Sequence, residues 1–68
     1  MTGHELRDTR RRLGLTVQWC AVNVGHVSRR TWQFWEAGRN GQSVRVPEDV
    51  VKRMDALDRV MSGVLYDA

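Results

Sequence analysis

Apolar residues recur along the chain at the three- and four-residue spacings of amphipathic helices, and glycines interrupt them at intervals. Leu6, Leu13 and Leu15 frame a first helical segment over residues 3–13, closed by Gly14. A glycine just past the last apolar position is a common left-handed helix stop. Thr16 fits the N-cap of a second, short helix over residues 17–24. Trp19, Cys20, Val22 and Val24 give that helix apolar surface, with Trp19 expected in the core. Ala21 is small enough for close helix approach, and Gly25 is expected to end the helix. Ser28 caps a third helix, residues 29–37, which runs to Gly38.

Residues 38–46 form a polar, glycine-bearing loop. Pro47 then opens a last helix, where its missing N–H costs nothing, and Glu48 and Asp49 complement the positive helix end. Val50, Met54, Leu57, Met61 and Val64 follow at spacings of four and three, with Leu65 beside them, in a stripe suited to a partner helix. Ser62 leaves room for a fifth helix. The pattern predicts an all-α fold of four to five short helices around a central helix-turn-helix. Residues 1–46 are the helix-turn-helix part and residues 47–68 a dimerising C-terminal helix of the same single domain.

At 68 residues the chain is one domain at most, too small to enclose a deep catalytic cleft. The single cysteine, Cys20, excludes an internal disulfide framework and a cysteine-rich zinc site. His4 and His26 lack partners at metal-ligand spacing, and no Ser-His-Asp or Cys-His arrangement stands out. No enzyme, cofactor or metal is expected. No apolar run reaches the ~18–20 residues of a membrane span, and the start lacks a signal-peptide pattern. A soluble, cytoplasmic module is the expectation.

Charge sharpens the picture. The net charge of +3 divides into +5 over residues 1–45 and −2 over residues 46–68. All cations but Lys52 are arginine, whose planar fork matches phosphate oxygens and guanine edges. An acidic polymer is the partner this suits, and the acidic last helix sits away from it.

Thr16 to Arg39 holds the informative pattern. A short helix, a glycine-bearing turn and a capped second helix make a helix-turn-helix, which sets its second helix in a DNA major groove. Projected at ~100° per residue, Trp32 and Trp35 share an inward face. Arg30, Gln33, Phe34 and Ala37 lie opposite, with Arg29 at the edge. Arg30 and Gln33 are the expected base readers, since Arg bridges O6 and N7 of guanine and Gln bridges N6 and N7 of adenine. Arg29 joins them, and Phe34 suits a thymine methyl. Ser28 turns a helix N-terminus toward a phosphate. Arg11, Arg12, Arg39 and Arg45 suit the flanking backbone. Asp55 and Asp58 fall on the polar face of the last helix, where solubility accounts for them.

Leu13-Gly14-Leu15-Thr16, Ala21, Gly25, Val27-Ser28 and Glu36-Ala37-Gly38-Arg39 resemble the Cro/C1-type (XRE) helix-turn-helix family. The tryptophan-rich run from Val27 to Arg39, with Val46-Pro47-Glu48-Asp49-Val50, looks more narrowly like the anti-CRISPR-associated repressors and YdiL-like proteins. The likeness spans residues 3–58. Two features depart from it. Val17 stands where many members have a phosphate-contacting Gln, with Gln18 one place later, and the turn Gly25-His26-Val27-Ser28 is one residue longer than the shortest.

The resemblance implies that Arg10 and Glu36 pair internally and that Thr16, Gln18, Ser28, Thr31, Arg39 and Arg45 hold phosphates. The stripe of Val50, Met54, Leu57, Met61, Val64 and Leu65 exceeds what a small core needs and is the expected contact of a homodimer, and the resemblance implies binding to an inverted repeat of double-stranded DNA. The function implied is a repressor of its own operon, one carrying an anti-CRISPR gene, in a bacterial host cell. A toxin–antitoxin component and a direct protein- or RNA-binding inhibitor are the alternatives.

Overall fold

The computed structural model describes residues 1–39 and 41–67, with side chains as far as Met61. Four α-helices follow one another: α1 (Gly3–Arg12), α2 (Val17–Cys20), α3 (Arg29–Ala37) and α4 (Glu48–Asp67). No strand occurs among the described residues, and the fold is all-α as the spacing predicts. One isolated bridge joins Arg39 to Gln42. α4 continues to Asp67, so Ser62 begins no fifth helix.

The starts of α1, α2 and α3 are each capped by a hydroxyl. The Thr2, Thr16 and Ser28 side chains accept the amides of Glu5, Trp19 and Thr31, satisfying donors that a helix leaves unpaired. α4 starts one residue later than the sequence suggests. The Pro47 carbonyl accepts the Val50 and Val51 amides at 3.1 Å, so proline caps the helix rather than opening it.

The second helix is not a plain α-helix. After Cys20 it widens into a π-helical turn, Ala21–Gly25, and ends at His26. The left-handed residue is His26 (φ 52°), not Gly25, and Val27 N–H closes the turn on the Ala21 carbonyl at 2.9 Å. Gly25 is required for another reason. A β-carbon there would stand 3.1 Å from ring carbons of both Trp32 and Trp35. The glycine therefore lets the turn lie on the two indoles.

The core comprises Leu6, Cys20, Ala21, Val24, Trp32, Trp35, Val46, Val50 and Met54. The two indoles sit 5.6 Å apart at 58°, a tilted aromatic pair. Gly3 brings the start of α1 onto the end of α3, where a β-carbon would overlap the Trp35 carbonyl oxygen. Burial pushes the Cys20 thiol up to about 11.

Trp19 corrects an expectation. It is 41% exposed. Val17, Cys20, Ala21 and Val24 keep the inward spacing of three, one and three, and Trp19 falls off that face. Val22 is likewise exposed.

Candidate nucleic-acid interface

α3 divides as its wheel predicts. Trp32 and Trp35 are buried, while Arg29, Arg30, Gln33, Phe34 and Ala37 are exposed on the other side. Phe34 remains 43% exposed, a large apolar ring on a polar face. The guanidinium and carboxamide groups form no ion pair or hydrogen bond with described residues, so their donors are available to a ligand.

Glu36 fixes the helix that carries these groups. Its carboxylate accepts Arg10 Nε at 2.6 Å, Arg10 Nη2 at 3.1 Å and Trp32 Nε1 at 2.5 Å. The same Arg10 donates through Nη1 to the Leu15 carbonyl at 2.9 Å. One guanidinium thus ties α1, the turn before α2 and the end of α3. The Glu36 bond raises the pKa of Arg10 above its ordinary value. The ion pair implied by resemblance is present, and Trp32 joins it as a third member.

The expected phosphate contacts are distributed as follows. Thr16 and Ser28 lie at the starts of α2 and α3, exposed, with Gln18 exposed beside Thr16 and Thr31 half-buried beside Ser28. The Ser28 and Thr31 hydroxyls bond each other at 3.1 Å, which uses one of their two protons and leaves the other to donate. Arg39 and Arg45 are exposed in the loop after α3. Reciprocal 2.9 Å bonds between Arg39 and Gln42 make that loop a tight hairpin. Gly38 permits it, with φ +80° and no room for a side chain against the Gln42 carbonyl.

Arg12 is elsewhere. It makes a two-pronged pair with Asp58 of α4 at 2.8 and 2.9 Å, which raises its pKa. Asp58 thereby joins α4 to α1 instead of serving solubility alone. Arg53 is a second α4 anchor that the sequence did not single out. Its Nη1 donates to the Val24 carbonyl at 3.0 Å, satisfying an acceptor at the end of the π-helical turn.

The apolar stripe of α4 is largely internal. Val50 and Met54 are buried in the protein's own core and offer no surface to a second chain, a correction to the expected dimer contact. Leu57 and Met61 are half-buried; the side chains of Val64 and Leu65 lie outside the described residues. Val60, absent from the expected stripe, is 64% exposed. Together with Trp19, Asn23, Ala56 and Leu57 it lines a groove of about 410 Å³ beside α2.

Among the described residues, no group of three or more His, Cys, Asp or Glu is placed to hold a metal. Among them, too, no helix is long and apolar enough to cross a membrane.

The helix-turn-helix domain family matches residues 2–67. The chain is 44% identical over 54 residues to the Aca2 repressor of Pectobacterium phage ZF40. That match covers 79% of this chain and 43% of the relative, so the chain spans less than half the relative's length. No solved structure matches. With a capped α2, a left-handed turn at His26 and a capped α3 bearing outward arginines, the chain belongs to the Cro/C1-type helix-turn-helix domain family.

Proposed function

We propose that this chain is a sequence-specific DNA-binding repressor. Its α3 enters the major groove, where Arg30 and Gln33 choose the bases, Arg29 reads at the edge and Phe34 packs on a thymine methyl. Thr16, Gln18, Ser28, Thr31, Arg39 and Arg45 hold the flanking phosphates. The observation that carries this reading is the division of α3: two indoles buried on one side, unengaged arginines and a glutamine on the other. The relative named a repressor gives the direction of the effect.

One short helix reads about four or five base pairs, and each wrong pair costs ~1–3 kcal/mol, so discrimination grows by adding a second half-site. The repressor binds as a homodimer to an inverted repeat, with half-sites about one helical turn apart. The far half of α4 supplies the contact, using Leu57 and Met61 in place of the buried Val50 and Met54. Bound over its own promoter in a bacterial host, it occludes polymerase from an operon that carries an anti-CRISPR gene.

A footprint of the protein on the DNA upstream of its gene tests the reading, with sedimentation equilibrium on the same preparation. Two protected half-sites and a dimer are expected. Failure to protect any duplex overturns the function, and a monomer protecting a single half-site overturns the symmetry.

A further inference from the structure

A cleft of about 200 Å³ opens where α1, α2 and α3 meet, lined by Arg7, Val17, Gln33, Glu36 and Ala37. Gln33 and Ala37 belong to the exposed face of α3, and Val17 is the first residue of α2, next to the cap Thr16. A duplex seated on α3 carries its backbone past the start of α2, because the first helix of such a unit crosses the strand. The Val17 side chain has no donor for that backbone.

Two cations line or adjoin this region, and their states differ. Arg10 is committed to Glu36, so the carboxylate at the cleft is already matched by a positive charge and three donated bonds. It neither repels an incoming phosphate nor draws Arg7 inward. Arg7 is exposed and forms no ion pair or hydrogen bond with described residues. By contrast, Arg12 and Arg53 are held by Asp58 and by the Val24 carbonyl.

We propose that Arg7 is a further phosphate-binding residue, holding a DNA backbone phosphate at the mouth of the cleft it shares with Val17 and Gln33. This rests on the DNA reading above. The forked guanidinium takes two phosphate oxygens at once, from α1 rather than from the helix-turn-helix itself. α1 thereby becomes part of the interface, next to the base-reading Gln33.

Fluorescence anisotropy tests the assignment with the full chain, a duplex from upstream of the gene and a duplex of random sequence. Wild type, Arg7→Ala, Arg7→Lys and Lys52→Ala are titrated between roughly 50 and 200 mM salt. Arg7→Ala is expected to weaken binding about five- to tenfold on both duplexes and to reduce the salt slope by about 0.9. Arg7→Lys keeps the slope, Lys52→Ala matches wild type, and the Tm of Arg7→Ala is unchanged because Arg7 bonds no described residue in the free protein. Wild-type affinity and slope in Arg7→Ala overturn the proposal while leaving the DNA reading intact. A loss confined to the upstream duplex overturns it as well, since that marks base contact. Wild type binding neither duplex overturns the DNA reading itself.

Discussion

Arg10 and Glu36, 26 positions apart in sequence, meet at 2.6 Å with side chains only 13% and 8% exposed, and the Trp32 indole donates to the same carboxylate oxygen at 2.5 Å. An ion pair this sheltered gains Coulomb energy but forfeits hydration, so its net contribution to stability is small beside the cost of breaking it. What it provides is position: α3 is held to α1 near its C-terminal end, which fixes the direction in which its exposed face points.

Glu36→Ala leaves Arg10 sheltered and unpaired and removes the indole's acceptor. A loss of about 2–4 kcal/mol is expected in chemical denaturation. Arg10→Met/Glu36→Leu replaces the pair with apolar groups and recovers part of that loss. If the pair positions α3, this double variant folds by circular dichroism yet binds DNA more weakly than wild type. Recovery of both stability and affinity would show that the pair serves the fold alone.

Gly25 and His26 have exchanged the roles their residue types suggest. Gly25→Ala sets a methyl against two indoles at 3.1 Å and is expected to cost about 1–3 kcal/mol. His26→Gly relieves a left-handed backbone at φ 52° and is expected to stabilise by about 0.5–1 kcal/mol. Denaturation midpoints of the two variants moving in opposite directions bear this out. A destabilised His26→Gly would mean that the imidazole supplies a contact of its own.

Local rules made much of this fold legible. Thr16 and Ser28 were readable as caps, Gly14 and Gly38 as helix stops, and Trp32 with Trp35 as the inner face of α3, because each depends on neighbours within a turn. Trp19 was not, although its spacing contained the answer. Size argued for burial, while Val17, Cys20, Ala21 and Val24 already occupied the inward positions. Gly25 and Gly3 are fixed by tertiary approach, which no local pattern records. The destination of Val50 and Met54 depended on how α4 crosses the other helices. Of the proposed interface, the exposed side of α3 was legible from its wheel. Arg7 was not, since only the fold brings α1 beside Gln33.

The buried thiol gives stability a specific pH dependence. Cys20 ionises near 9 when unfolded and at about 11 when folded, because the core disfavours the thiolate. Between these values the unfolded chain has released a proton that the folded chain retains. Unfolding is therefore favoured as pH rises through that window, and this contribution is absent below it. The prediction is a decline in stability from pH ~9 to ~11 that is steeper in wild type than in Cys20→Ala, followed by denaturation at fixed temperature. Parallel curves would show that the thiol titrates alike in both states.

In the proposed DNA reading, Arg30 and Arg39 separate base choice from anchoring. Arg30 projects from the exposed face of α3, whereas Arg39 sits in the hairpin after it. Arg30→Ala is expected to cost ~1–3 kcal/mol on the cognate site and to relax preference at one base position, because the lost fork served one base edge. Arg39→Ala instead weakens cognate and random duplexes alike and lowers the salt slope by about 0.9, since a phosphate contact carries no sequence information. Titrations over a panel of single-base variants measure both. If the two substitutions weaken every duplex equally, Arg30 is another phosphate anchor, and base choice passes to Gln33 and Arg29.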